Sequence, residues 1–239
     1  MIVLVLLLLA GAAQGADASL FGITLGDAKG GTAAVPVQIT ILLTLLALLP
    51  AAIMSVTPFL RISIVLHFLR QALGTQSAPS NQTLVGLSLF LTMLVTSPLL
   101  SQIHEEAWVP MQKGQLTQEQ AIEQAGKPLS AFLLKYTREK DIRLFLEISH
   151  APAPKSPQDL EFKILVPAYI ISELKTGFQI GAVLFLPFLV IDIVVASVTL
   201  SIGMVQLPPV MISAPFKILL FVLVDGWNLL IGSLIKSFY

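Results

Sequence analysis

The sequence predicts an all-α membrane protein in which two long helical hairpins flank a small, charged, soluble-looking helical segment. Charged residues make up 12% of the 239 residues and apolar residues 55%, whereas an average soluble domain has about 25% charged residues. From residue 178 to residue 235, only Asp192, Lys217 and Asp225 are charged. No stretch shows the alternation of apolar and polar residues that indicates a half-buried strand.

Residues 1–15 have the pattern of a cleavable export signal. The apolar run Ile2–Leu9 is too short to span a bilayer, and small residues at Ala13 and Gly15 fit cleavage after Gly15. The segment before the apolar run contains no Lys or Arg, which departs from the usual signal pattern. Residues 16–36 then form an extracytoplasmic lead.

Four apolar blocks build the two hairpins, 37–103 and 163–239. About 20 apolar residues suffice to cross a bilayer. Arg61 and Arg70 precede the loop 74–82 and indicate that this loop is cytoplasmic. The blocks are Val37 to about Phe59 with an amphipathic continuation to Leu69, Leu84–Ile103, Phe178 to about Gln206, and Ile212–Ile235.

The segment 104–162 between the hairpins carries more than half of the charged residues and is predicted to lie on the extracytoplasmic side of the membrane. Thr117 and Gln120 have the spacing of a helix capping box. The spacing of Phe132, Leu133 and Tyr136 is helical. We therefore expect two or three short amphipathic helices, followed by a Pro-rich linker at 151–157.

The last apolar stretch is interrupted by two adjacent prolines, which stop a helix because neither offers an N–H group. The predicted bend and pore loop occupies residues 203–209. Its members face the place where an oligomer would converge on an axis, and they are Gly203, Met204, Val205, Gln206, Leu207, Pro208 and Pro209.

Charged residues inside the apolar blocks are costly in lipid and should face protein or water. They are Glu173, Lys175, Asp192, Lys217 and Asp225. One interpretation is a proton or ion path, and the other is charge pairing between subunits, with Arg61 as a further partner. The second is favoured because no chain of ionisable groups leads across the membrane.

The sequence gives little support for catalysis or for a cofactor. His104 is followed by two glutamates but lacks the i,i+4 partner of a metal motif, and Ser233 and Lys236 have a Ser-x-x-Lys spacing without supporting motifs. The chain has no cysteine, so disulfides and thiolate metal sites are excluded. Its net charge is zero, so it lacks the excess of positive charge that is typical of nucleic-acid-binding proteins. We predict no catalytic, metal-binding or cofactor-binding residue and no nucleic-acid partner.

Three long motifs, in order, closely resemble the FliP family of type III secretion export-gate subunits. The first covers Thr57–Ile62, Leu69–Thr75, Pro79–Gln82 and Gly86–Thr92, the second Pro167–Phe178, and the third Pro215–Lys217 with Leu220–Trp227. The family includes flagellar members and the equivalent subunits of virulence systems. The motif details and the cleavable signal favour a flagellar member.

The resemblance implies a homo-pentamer in the inner membrane, assembled with the FliQ and FliR subunits and other export apparatus proteins. Its pore would pass unfolded flagellar substrates, and the ring would be raised toward the periplasm, in partial contact with lipid. Family members usually carry a run of methionines before the double proline, whereas this chain keeps only Met204 there. A secondary transporter or ion channel, and a structural scaffold for a membrane ring, are the alternative functions.

Overall fold

The computed structural model describes residues 19–20, 23–24, 34–75, 77–150, 154, 156–203 and 208–239. The predicted signal 1–15, most of the lead 16–36 and the predicted gate residues 204–207 lie outside the described residues. The described chain is almost wholly helical, as the sequence predicts. The exception is a short antiparallel pair of strands, β1 (Ser19–Leu20) and β2 (Ile23–Thr24).

Nine α-helices follow the strands within the described part of the chain. Two helical stretches, Asn81–Gln112 and Phe162–Ser201, are long and apolar enough to cross a membrane. Two further pairs of helices, each bent at a short break, would bring the number of possible spans to four if each pair counts as one span. The helices are α1 (Ala34–Ser55), α2 (Phe59–Ala72), α3 (Asn81–Ile103), α4 (Val109–Gln112), α5 (Gln118–Tyr136), α6 (Glu139–Ser149), α7 (Phe162–Ser201), α8 (Pro209–Leu223) and α9 (Gly226–Lys236).

The first of two compact units consists of residues up to 56 and residues 98–131. A π-helical turn, His104–Trp108, continues α3 into α4. The end of α3 packs through Leu99 and Ile103 against the first half of α5, where Ala125 is buried. This unit also contains α1, whose leucines are mostly exposed.

The predicted capping box at the start of α5 is confirmed. The Thr117 hydroxyl accepts a hydrogen bond from the Gln120 backbone N–H at 3.3 Å, and the Gln120 side-chain oxygen accepts from the Thr117 N–H at 3.0 Å. These two bonds satisfy N–H groups that have no partner inside the helix. From this cap, α5 continues without a break through Pro128 to Tyr136.

The second unit, residues 57–97 and 132–239, is built around the packing of α2 on α7. Buried apolar side chains recur along α2 with helical spacing, so one face of the helix enters the core. The α7 side of the contact includes Gly177 and Gly181. A Cβ at Gly177 would lie 3.2 Å from the Ile64 Cβ, and one at Gly181 only 2.5 Å from the Phe68 Cγ. The two glycines therefore allow α2 and α7 to approach closely.

Helix α7 begins sixteen residues before the apolar block that predicted it, at Phe162 rather than Phe178. Its 40 residues correspond to about 60 Å, twice the ~30 Å thickness of the hydrocarbon core. The added first turns carry polar residues, including Ser172 and Glu173, which are fully buried against protein. Their polarity hid this part of the helix from a search for apolar runs.

The apolar run Ile212–Ile235 suggests a single helix, but in the structure it is divided between two helices, α8 and α9. Asp225 adopts a left-handed conformation with φ of 52°, and α8 and α9 meet at 68° around it. A Cβ at Gly226 would lie 2.3 Å from the Phe221 ring, so the chain can turn this tightly only with glycine there. The turn directs Leu230 and Leu234 into the core.

Candidate functional site: buried charge clusters and the proline bend

A buried ion pair joins α2 to the first half of α7. The Arg61 Nε donates to Glu173 Oε2 at 3.0 Å, and Nη2 donates to Oε1, which gives a two-point contact. Arg61 is 3% exposed and Glu173 is 0% exposed. The remaining Arg61 nitrogen, Nη1, donates to the carbonyl and the hydroxyl of Ser237 at 3.2 and 3.1 Å. The guanidinium thus has partners on three sides.

Aromatic rings complete the surroundings of Arg61. Its Cζ lies 4.0 Å from the centroid of the Phe238 ring and 5.6 Å from that of Tyr136, distances at which a cation is attracted to an aromatic face. The Tyr136 hydroxyl donates to the Phe238 carbonyl at 2.5 Å. The Arg61 cluster (Arg61, Glu173, Tyr136, Ser237 and Phe238) therefore ties together α2, α5, α7 and the residues that follow α9.

A second cluster joins α6 to α7. The Asp141 carboxylate is 1% exposed, and it accepts hydrogen bonds from the Ser172 hydroxyl at 2.8 Å and from the Lys175 ammonium. Arg138, just before α6, donates through Nη2 to the Thr176 hydroxyl at 2.9 Å and to the Gln179 oxygen at 2.6 Å.

The electrostatics of this second cluster favour the charged form of Asp141. Burial acts to raise the pKa of this carboxyl, but the hydrogen bonds from Lys175 and Ser172 and the positive charges of Lys175 and Arg138 outweigh it. The pKa of Asp141 is therefore lowered below its ordinary value. The Asp141 cluster (Arg138, Asp141, Ser172 and Lys175) contains two cations and one carboxylate.

A third cluster connects α7 and α8, the two helices on either side of the proline bend. The Asp192 Oδ1 accepts from the Ser213 hydroxyl at 2.5 Å, and Oδ2 accepts from the Lys217 ammonium at 2.6 Å. Lys217 is 1% exposed, so its ammonium is buried, whereas the Asp192 side chain remains partly exposed. The Asp192 cluster (Asp192, Ser213 and Lys217) fixes α8 against α7 a few turns from the bend.

Asp225 has a different environment from Asp192, although the sequence places both about sixteen residues from the bend. Its carboxylate accepts a hydrogen bond from the Asn228 side chain at 3.1 Å, and no cation in the described part of the chain lies within 4.0 Å. It is exposed in the turn between α8 and α9. The two carboxylates therefore do not share one buried site.

The structure gives partners within the chain to five of the six charged residues that the sequence selects: Arg61, Glu173, Lys175, Asp192 and Lys217. Pairing across a subunit boundary stays a prediction. Sequence reasoning missed Asp141 as a partner, because this residue lies in an amphipathic segment where an exposed carboxylate is the usual case. It also missed Ser172 and Ser213, since a serine in an apolar run carries no distinct signal.

The predicted proline bend is flanked in the described structure by Gly203 and Pro208, and residues 204–207 lie outside the described residues. Gly203 has φ of 80°, a left-handed conformation that glycine adopts without strain. Large apolar side chains are exposed on both sides of the bend, with Ile202 at 69% and Met211 at 71%. Because water solvates such side chains poorly, the region around the bend requires lipid or other protein chains for cover.

Among the described residues, no group of three or more His, Cys, Asp or Glu side chains is arranged to hold a metal ion. His67 instead joins two helices. Its Nδ1 lies 2.7 Å from the Ser63 carbonyl and its Nε2 lies 2.9 Å from the Asn81 side-chain oxygen at the start of α3.

Residues 42–234 match the FliP family. The chain belongs to this family. It is 52% identical over 203 residues to the flagellar biosynthetic protein FliP of Pectobacterium carotovorum, a match that covers 85% of this chain and 79% of that protein. For the FliP of Bacillus subtilis the identity is 50% over 202 residues, with 84% and 91% covered. For that of Cereibacter sphaeroides it is 46% over 218 residues, with 91% and 72% covered.

The match to the FliP family covers the predicted proline bend and every charged residue of the three clusters. It ends before Ser237 and Phe238, which contact Arg61. The resemblance that three sequence motifs indicate is therefore confirmed over most of the chain. Each of these three relatives is named as a flagellar biosynthetic protein.

Proposed function

We propose that this chain is a pore-forming core subunit of the flagellar type III protein export gate, through which unfolded flagellar proteins pass. Membership of the FliP family supports a component of this gate, and the names of the relatives favour the flagellar system over its virulence counterpart. The observation that supports the pore assignment is the exposure of large apolar side chains on both sides of the predicted bend between α7 and α8, with the Asp192–Lys217 pair a few turns away.

The site of action is the bacterial inner membrane. Two helical stretches of membrane-spanning length and up to two further bent spans support a multi-pass protein. The 40 residues of helix α7 have a length of about 60 Å, so only part of the helix fits within the hydrocarbon core of one bilayer. A ring raised toward the periplasm accommodates this excess length, because neighbouring subunits then cover apolar surface that lipid does not reach.

The partners are further copies of the chain, in a pentamer, together with FliQ, FliR and the other export apparatus proteins. Exposed apolar side chains run along the second half of α7 and along α8, among them Val190, Ile193, Leu219 and Val222. Obligate oligomers bury large apolar interfaces, and this surface has that composition.

The gate itself is a ring of the segments 203–209 from all subunits. Apolar constrictions close a pore by excluding water, and Met204, Val205 and Leu207 supply apolar side chains at this position. A stiff double proline holds each segment toward the axis, while Gly203 allows the reversal of the chain. The chain moves protein and catalyses no reaction, so the energy for export comes from partners.

The gate placement is tested by replacing Met204 and Leu207 together with Gly. We expect the membrane of cells that produce this variant to leak small ions, because the closed ring loses its apolar seal. Replacing Met93 and Leu94, an exposed Met and Leu pair of α3, with Gly provides a control for general damage. Unchanged ion permeability in the Met204 and Leu207 variant would argue against this placement.

The export function is tested separately by deleting the chain. Every flagellar cargo must thread the same axial hole, so secretion of hook and filament proteins should stop together while Sec-dependent secretion continues. Parental levels of either class outside the deletion cells would overturn the assignment. Loss of a virulence effector with intact flagella would move the chain to the related secretion system.

A further inference from the structure

An apolar groove runs along the second unit between α7 and α9, with Phe221 of α8 at its base. We call it the α7–α9 groove, and its volume is about 510 Å³. Pockets that bind small molecules have volumes of roughly 300–1,000 Å³. The base is buried, with Phe188 and Leu230 beside Phe221, whereas Val183 and Leu229 on the rim are 68% and 59% exposed. A ligand can therefore enter from the side.

The length of the groove corresponds to one leaflet of a bilayer. Along α7 it extends from Gln179 to Phe188, which at 1.5 Å per residue is ~14 Å. The hydrocarbon core of a bilayer is ~30 Å thick, so one leaflet contributes about half of that. No residue from 176 to 191 is charged. These dimensions and this lining suit an acyl chain.

One end of the groove carries positive charge. Gln179 lines the groove and also accepts the hydrogen bond from Arg138 Nη2 at 2.6 Å, so the two features are continuous. Arg138 forms no ion pair within 4.0 Å in the described part of the chain. The nearby Asp141 carboxylate is engaged by Lys175, which leaves the cluster with one excess positive charge.

We infer that the α7–α9 groove binds an anionic phospholipid, with the headgroup phosphate at Arg138 and one acyl chain against Phe188, Phe221 and Leu230. A phosphate complements the uncompensated guanidinium, which presents several N–H donors to its oxygens. An acyl chain that spans one leaflet matches the length of the groove and its apolar base. The inference requires only that the chain lies in a membrane, and it does not depend on the gate function.

Trp227 provides a reporter inside the protein. Its ring centroid lies 5.5 Å from that of Phe221, the residue at the base of the groove, and its side chain is partly exposed. Trp108 is the second tryptophan, and a Trp108→Phe background leaves Trp227 alone. The full chain in this background is reconstituted in phosphatidylcholine vesicles that contain either brominated phosphatidylglycerol or brominated phosphatidylcholine at equal mole fraction.

Bromine on an acyl chain quenches tryptophan fluorescence at short range, so a difference in quenching between the two lipids reports which of them preferentially occupies the groove. We expect phosphatidylglycerol to quench Trp227 with about fivefold higher apparent affinity than phosphatidylcholine, the ratio that one additional basic group provides. Arg138→Gln should remove the preference, and Arg138→Lys should retain most of it. Arg143→Gln, an equal charge change at an exposed position of α6, should leave it unchanged.

The apolar part of the site is tested with Val183→Phe, which narrows the rim. This variant should weaken quenching by both lipids, whereas Val190→Phe, at an exposed position of α7 outside the groove, should not. Equal quenching by the two lipids, or an Arg143→Gln effect as large as that of Arg138→Gln, would overturn the inference. So would protection of Trp227 from both lipids with cross-linking of a second copy into the groove, since protein would then be the occupant.

Discussion

The two halves of α7 form the same kind of backbone but have opposite surroundings. From Phe162 to Gly181 the helix buries polar and charged side chains, and Ser172 and Glu173 bind Asp141 and Arg61 of the same chain. From Val183 to Ser201 it exposes large apolar side chains, and Asp192 is the only charged residue. The first half holds most of the buried polar contacts within the chain, while most of the exposed large apolar side chains lie on the second half and require cover by lipid or other chains. We therefore expect substitutions in the first half to affect fold stability most and substitutions in the second half to affect the proposed assembly most.

Removal of the buried carboxylate in the first half should have the largest effect. Glu173→Ala leaves the Arg61 guanidinium buried without its partner, and breaking such a pair typically costs about 3–5 kcal/mol. The free energy of unfolding in detergent, measured on the monomer, checks this. As a control, Glu139→Ala breaks the exposed ion pair with Arg143 and should change the free energy of unfolding little. Equal effects of the two variants would remove the distinction between the halves.

The close contact between α2 and α7 should come next. A Cβ at Gly181 would overlap the Phe68 ring, so we expect Gly181→Ala to destabilise by about 1–3 kcal/mol, the usual range for overpacking. Gly232→Ala, in α9, meets nothing within 4 Å, and should stabilise by up to about 1 kcal/mol because alanine is the better helix former. The same unfolding measurement should therefore show opposite signs, and equal signs would contradict the packing described for α7.

The pH dependence of unfolding should reveal the Asp141 cluster as a smaller effect. The folded-state pKa of Asp141 is below its ordinary value of 3.8, so its contribution to stability is present above that value and is lost as the pH falls through the lowered pKa. Asp141→Asn should flatten the acid side of the stability profile. An unchanged slope below the ordinary pKa would show that the carboxylate has no preferred interaction in the folded chain.

Substitutions in the second half should have the smallest effect on the monomer and a visible effect on assembly. Ile193→Ser changes a 57% exposed side chain, so the free energy of unfolding of the monomer should change by no more than about 0.5 kcal/mol. The amount of oligomer on a native gel should fall, because a polar group enters an apolar interface. A large loss of monomer stability with normal oligomer would reverse the roles of the two halves.

Sequence reasoning recovered the parts of this molecule that depend on local pattern. The Thr117 and Gln120 spacing predicts the observed cap, and charged residues in apolar runs predict that such residues have charged partners within protein. The start of α7 could not be predicted from apolar runs, since Glu173 is balanced by Arg61, 112 residues away in the sequence. The break at Asp225 depends on the approach of Gly226 to Phe221, a contact that exists only after folding.

The Asp192–Lys217 pair also has a consequence for how the chain enters the membrane during synthesis. Asp192 emerges from the ribosome 25 residues before Lys217, and a lone aspartate in the middle of a spanning helix costs about 2.5–3.5 kcal/mol to insert. If α7 entered the lipid before α8, this cost would arise before Lys217 was available to pair with Asp192. Simultaneous release of α7 and α8 avoids it, so both helices are expected to stay in the translocon until Lys217 has also emerged from the ribosome.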